Sequence, residues 1–165
     1  MTAARQRKRN CRFAAAFPWL LLTASVGLPV ATALATESIV VDRHTGLAIA
    51  GYDPVAFYTD GKPLLGSSEF EFRHGGVIWR FCNIGNREAF AARPDVYAPQ
   101  FGGYDPVGIA HGLAVAGNPL VWLIRDERLF LFYDHARLQA FAADAERTIA
   151  TAKRRWPEVL RTLSP

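Results

Sequence analysis

Glu69-Phe70-Glu71-Phe72-Arg73-His74-Gly75-Gly76-Val77-Ile78-Trp79-Arg80-Phe81-Cys82 is the stretch that decides the fold class. Polar and apolar residues alternate over 69–73, the period of a strand with one face on a core. His74-Gly75-Gly76 is a turn, and 77–82 is rich in β-branched and aromatic residues, so the stretch predicts an antiparallel hairpin. Further on, Val121-Trp122-Leu123-Ile124-Arg125 and Leu129-Phe130-Leu131-Phe132-Tyr133 flank Asp126-Glu127-Arg128 and predict a second hairpin. The remaining signals are helical. A helix opens at Asn83 or Gly85-Asn86, carries Ala89, Phe90 and Ala91, and stops before Pro94. Asp134 or His135 begins a helical region to about Arg155, with Phe141, Ile149 and Trp156 on its apolar side and an interruption at Pro157. The predicted fold is α+β: a small antiparallel sheet of two hairpins, surrounded by short helices, with a longer C-terminal helix.

The pentapeptide Gly-Tyr-Asp-Pro-Val stands at 51–55 and again at 103–107. In both copies Asp before Pro is a helix start, a carboxylate cap followed by proline at the first helical position. The flanks of the two copies do not match, so the repeated pentapeptide by itself is a weak sign of duplication. The pentapeptides read as two short helices starting side by side against the sheet.

Residues 1–35 read as an export signal. Arg5, Arg7, Lys8, Arg9 and Arg12 form a basic region, 13–35 hold no charge around an apolar Trp19-Leu20-Leu21-Leu22 centre, and Ala33-Leu34-Ala35 is a small-x-small cleavage site. The alternative is an uncleaved membrane anchor, which Pro18, Gly27 and Pro29 weaken as a continuous helix. Nineteen basic residues less the five in this leader leave 14 against 15 acidic ones, a net of −1 for the exported chain. Basicity therefore gives no nucleic-acid surface, and a membrane is met only through the leader if it is uncleaved. The expected location is periplasmic or secreted. The single cysteine after the leader, Cys82, cannot form an internal disulfide. Residues 36–46 read as a flexible lead-in, 47–157 as the folded domain and 158–165 as a tail.

Three sets of residues carry the resemblance: Gly51-Tyr52-Asp53-Pro54-Val55-Ala56-Phe57-Tyr58; the strand Trp79-Arg80-Phe81; and Asn86-Arg87-x-x-Phe90-x-x-x-Pro94-x-x-Tyr97-Ala98-Pro99-Gln100-Phe101-Gly102-Gly103-Tyr104. In these the chain resembles the YHS-domain family, and more closely its long exported bacterial branch, over residues 47–157. The resemblance implies a fold and, from the wider family, an association with a transition metal such as copper or zinc; it does not identify a cofactor for this chain. Short metal-associated members carry three cysteines that fall here on Ala56, Cys82 and Asn86, so one of the three survives. Thiolate sites for zinc or copper(I) need two or more soft ligands held together, so a cysteine-clustered site is not available here. Where the long branch resembles Gly-Gly-Tyr-Cys-Ala, this chain has Asp105-Pro106 after the tyrosine.

The candidate site residues divide by chemistry. Asp53 and Asp105 are helix caps or two carboxylates converging on a cation. Tyr52, Tyr58, Tyr97 and Tyr104 are core rings with polar tips or the wall of a small-ligand pocket, to which Gln100 would add a donor and an acceptor. Cys82 is a buried thiol or, with His74 or His111, a reactive or metal-ligating thiolate; His111 is otherwise a surface histidine. No Gly-x-Ser-x-Gly, His-Glu-x-x-His, phosphate loop or Cys-x-x-Cys occurs in the sequence. The function expected is a binding module holding a metal ion or small ligand, with a structural or protein-interaction domain as the alternative. An unrecognised enzyme would rest on His111, Asp105 and Cys82 alone.

Overall fold

The computed structural model describes residues 38–163. The leader, residues 1–35, and the last two residues of the tail lie outside this range. Strand β1 (Ser67–His74) pairs antiparallel with β2 (Val77–Phe81), with Phe72 opposite Trp79 and His74 opposite Val77. Strand β3 (Asn118–Arg125) pairs in the same way with β4 (Arg128–Phe132), with Leu123 opposite Phe130 and Arg125 opposite Arg128. The two hairpins are separate two-stranded sheets. Helices α1 (Ala56–Thr59), α2 (Ile84–Ala92), α3 (Pro94–Tyr97), α4 (Pro106–Ala110), α5 (His135–Ala143) and α6 (Ala145–Thr162) surround them, which is the α+β architecture expected. Among the described residues no helix is long and apolar enough to cross a membrane.

The pentapeptides mark an internal duplication that runs much further than their five residues. Each begins on the last residue of a turn with left-handed backbone, Ile49-Ala50-Gly51 (φ 42, 55 and 78°) in the first copy and Phe101-Gly102-Gly103 (φ 53, 62 and 91°) in the second. Each aspartate N–H then donates to a carbonyl before its hairpin, Asp53 to Leu64 O and Asp105 to Val115 O, both at 2.8 Å. Gly66 N–H reaches Gly51 O, and Gly117 N–H reaches Gly103 O, both at 2.9 Å. Both hairpins slip register at the same place, between Ser67 and Glu71 and between Asn118 and Trp122. Each is followed by a nine-residue helix whose cap side chain, Asn83 or Asp134, accepts the N–H three residues on at 2.8 Å. On those helices Phe90 and Phe141 pack against the ring that ends the hairpin, Phe81–Phe90 at 5.2 Å and Phe132–Phe141 at 5.0 Å between centroids. The flanks do match once the loop before the hairpin is shortened by one residue: Ala89-Phe90-Ala91-Ala92 recurs as Ala140-Phe141-Ala142-Ala143.

The two copies stack through the second hairpin. Val121, Leu123, Phe130 and Phe132 face one core with Ile109, Phe141, Ala152 and Val159. Trp122, Ile124, Leu129 and Leu131 face the other with Phe57, Trp79, Phe81 and Phe90. A strand buried on both faces reads as a continuous apolar run, which is how 121–124 is written. The first hairpin buries Phe70, Phe72 and Trp79 on one side only. Its other side carries Glu71 and Arg80, paired at 2.9 Å where the second hairpin has Trp122 and Leu131. Trp79, Phe81, Phe90, Phe132 and Phe141 are fully buried, each contributing roughly 1.5–3 kcal/mol of apolar transfer.

Three expectations from the sequence are corrected. Residues 38–46 are a packed strap and not a loose lead-in: Val40 N–H donates to Gly102 O at 2.8 Å, and Val40 O accepts from Ile49 N–H at 3.0 Å, joining the two left-handed turns. Ile39 leans on the first core and Val40 on the second. The C-terminal helical region is two helices, broken at Asp144 (φ −151°, ψ 65°), whose carboxylate caps α6 at Arg147 N. Pro157 does not end α6, which continues through it to Thr162 and so includes most of the expected tail. The ring lies on the exposed side, and the buried Ala152 and Val159 either side of it offset the hydrogen bond it removes.

Candidate functional site

Asp53 and Asp105 are both fully buried. Asp53 Oδ1 accepts from Val55 N–H (2.8 Å) and Ala56 N–H (3.3 Å), capping α1. Its Oδ2 accepts from Cys82 N–H (2.8 Å) and from Asn86 Nδ2 (2.7 Å), tying that helix start to the end of β2 and to α2. Asp105 repeats the arrangement: Oδ1 accepts from Val107 N–H (2.8 Å) and Gly108 N–H (3.1 Å), and Oδ2 from Tyr133 N–H at 2.9 Å. A carboxylate offers about four acceptor sites. Asp53 uses four, so its oxygens are saturated by the protein itself. The two carboxylates do not converge; each belongs to its own copy of the unit.

The tyrosines separate in the same way. Tyr58 donates to Val96 O at 3.0 Å and stacks edge-on against Tyr97 at 5.5 Å, and burial pushes its hydroxyl pKa up. Tyr52 packs on the first core, while Tyr104 packs in the second against Trp156 at 5.8 Å. Cavities of about 390, 320 and 250 Å³ are among those that open in the described residues. None of the three is lined by Tyr52, Asp53, Tyr58, Tyr97 or Asp105, whereas Gln100 lines the second and Tyr104 the third. None of these three cavities brings the seven residues of the expected Tyr/Asp pocket together.

Cys82 and His111 also lie apart. Cys82 follows β2 in the first copy, its Sγ 3.5 Å from Leu65 O. Burial, and then the negative charge of Asp53, push its thiol pKa up to about 11, so it is protonated at neutral pH. His111 ends α4 in the second copy, exposed, with its backbone N–H on Gly108 O at 2.9 Å. Among the described residues no group of three or more His, Cys, Asp or Glu side chains is placed to hold a metal ion. The positions that carry cysteine in the metal-associated pattern do different work here: Ala56 is fully buried beside the cap, and Asn86 donates to Asp53. The donor set of the described residues does not fit copper or zinc.

What the sequence reading missed is the seam. The 390 Å³ cavity lies between the strap, the first left-handed turn and the approach to β3. Val41, Ile49, Ala50 and Pro119 form apolar wall, and Arg43 and His44 stand at its polar side. Ile49 and Ala50 hold φ of 42° and 55°, a conformation costly for any residue with a side chain and most of all for a β-branched one. In the second copy the corresponding turn is covered: a Cβ on Gly102 would lie 1.8 Å from Ser38 O. In the first copy Ala50 is exposed and faces the cavity. The only trace of this in the sequence is Ile-Ala-Gly against Phe-Gly-Gly before the same Tyr-Asp-Pro-Val.

Fold and site together define a duplicated α+β hairpin domain with a cavity at the join of its halves. No protein-family model, curated protein or solved structure matches the chain.

Proposed function

We propose that this chain is an exported binding module of YHS type that holds a small, largely apolar ligand in the seam cavity. The observation that carries this reading is the cavity wall itself. Strained backbone persists where the surroundings over-determine it and gathers at ligand sites. Here the same turn is built twice; one copy is covered by the strap, and the other, Ile49-Ala50, lines a cavity of about 390 Å³. That volume falls in the range of small-molecule sites, roughly 300–1,000 Å³. Export rests on the basic, apolar, small-x-small order of residues 1–35, and the YHS assignment on the motifs from 51 to 104. A protein-docking domain is the second reading, favoured by Leu65, Ile84, Leu113, Leu120 and Tyr133, each at least half exposed.

A neutral fluorescent reporter, N-phenyl-1-naphthylamine, tests the seam. Saturable one-to-one binding is expected. Ala116→Trp, which places an indole at the exposed rim of the cavity, is expected to weaken it at least tenfold, about 1.4 kcal/mol, with the thermal midpoint unchanged. Equal affinity in the two proteins would remove the seam as the binding site.

A further inference from the structure

The cavity of about 320 Å³ shares no lining residue with the seam and has a different character. Its floor is Phe130, which is buried, and Ile149, which is half-buried. Around that floor stand Arg125, Arg128, Lys153 and the Gln100 amide, with Asp126 as the one carboxylate, so the lining carries a net charge of +2. Arg128 is oriented by donating Nη1–H to Asp95 O at 2.7 Å, which leaves most of its guanidinium donors unassigned. Arg125 Nε is buried with no hydrogen-bond partner. It forms a long ion pair with Asp126 Oδ2 at 3.6 Å, between side chains 39% and 83% exposed. The side chains of Gln100 and Lys153 make no hydrogen bond or ion pair with the described residues.

The duplication supplies an internal control. The turn between β1 and β2 is Gly75-Gly76, with φ of 61° and 82°, flanked by His74 and Val77. The equivalent turn between β3 and β4 holds Asp126-Glu127 at φ of 50° and 57°, flanked by Arg125 and Arg128. Glycine makes this left-handed two-residue turn without steric cost, and a residue with a side chain does not. The same backbone is thus built once from glycine and once from an Arg-Asp-Glu-Arg run whose two arginines enter the cavity lining. A buried guanidinium N–H with an ion pair but no hydrogen-bond acceptor is satisfied better by an oxyanion, which Arg binds through two donors at once.

We propose that this cavity is a second ligand site, for a small organic anion whose oxyanion group sits among Arg125, Arg128 and Lys153 and whose apolar body rests on Phe130 and Ile149. Gln100 adds a neutral donor and acceptor at the edge. The site is independent of the seam and does not require it to be occupied.

Calorimetric titration of the full-length protein with phenyl phosphate at low ionic strength, where surface charges are least screened, is the test. One-to-one binding is expected, at least tenfold weaker in Lys153→Met and in Arg125→Met, and unchanged in Ala116→Trp and in Lys62→Met. Lys153 is exposed and makes no described contact, so its variant should keep the wild-type melting temperature. No saturable binding to the wild type, or equal affinity in Lys153→Met, would overturn the proposal.

Discussion

Asp53→Ala is expected to lower the stability of the domain by about 4 kcal/mol, a large part of the roughly 5–15 kcal/mol that holds a small domain together. The change removes a helix cap, worth about 1 kcal/mol. It also leaves the Cys82 N–H and the Asn86 amide without their acceptor, and hydrogen bonds to a charged group contribute about 1.5–3 kcal/mol each. The terms overlap, so the total is less than their sum. Asp53→Asn should rescue little. An amide placed in the same position keeps one oxygen for the cap but turns an NH₂ group toward two donors, Cys82 N–H and Asn86 Nδ2. Asp105→Ala should cost less, about 3 kcal/mol, because its outer oxygen accepts only the Tyr133 N–H. Urea midpoints of the three variants, read at constant m, check the order. A loss below about 1 kcal/mol for Asp53→Ala would mean that the carboxylate is only a surface-type cap.

A larger effect than their size suggests is also expected at two equivalent glycines. A Cβ on Gly66 would lie 2.4 Å from the Arg80 carbonyl carbon and 2.5 Å from Phe81 N. One on Gly117 would lie 2.6 Å from Leu131 Cβ and 2.7 Å from Gly103 O. The obstacles are backbone atoms and one Cβ fixed directly to the backbone, and displacing either glycine from them strains the 2.9 Å bonds from Gly66 to Gly51 and from Gly117 to Gly103. Gly66→Ala and Gly117→Ala should each cost about 3 kcal/mol or more through forced backbone displacement. Gly61→Ala is the comparison. Its φ of 61° is unfavourable for alanine but nothing lies within 4 Å, so about 1 kcal/mol is expected. Chemical denaturation of the three proteins separates close approach from backbone preference. Equal losses would show that the hairpins yield.

Both hairpins were legible in the sequence because their signals are local: alternation over 69–73, a Gly-Gly turn, and two apolar runs around a charged turn. Even the burial of the second hairpin on both faces is written in the unbroken Val121-Trp122-Leu123-Ile124. The duplication was half legible. The pentapeptides repeat at a spacing of 52 residues, but Ala-Phe-Ala-Ala repeats at 51, and a comparison at one fixed spacing passes over it. Capping by Asp53 and Asp105 follows from Asp-Pro. Their outer bonds join residues 29 and 28 positions apart, and no local pattern records such a partner. The left-handed Ile49-Ala50 turn runs against local preference and is imposed by tertiary packing. The seam it lines was therefore invisible. Cys82 and His111 were grouped by ligand chemistry alone, and the duplicated topology assigns them to different copies. Gln100 lines a cavity that none of the tyrosines lines.

Native mass spectrometry of the protein purified without chelator or affinity metal tests most directly whether the Asp-Pro-Val segments are structural ties and the seam is the ligand site. The expected result is a mass excess of one small organic molecule on the wild type, absent from Ala116→Trp and retained in Cys82→Ala and His111→Ala. A stoichiometric metal ion, lost on Cys82→Ala or His111→Ala and retained in Ala116→Trp, would contradict it.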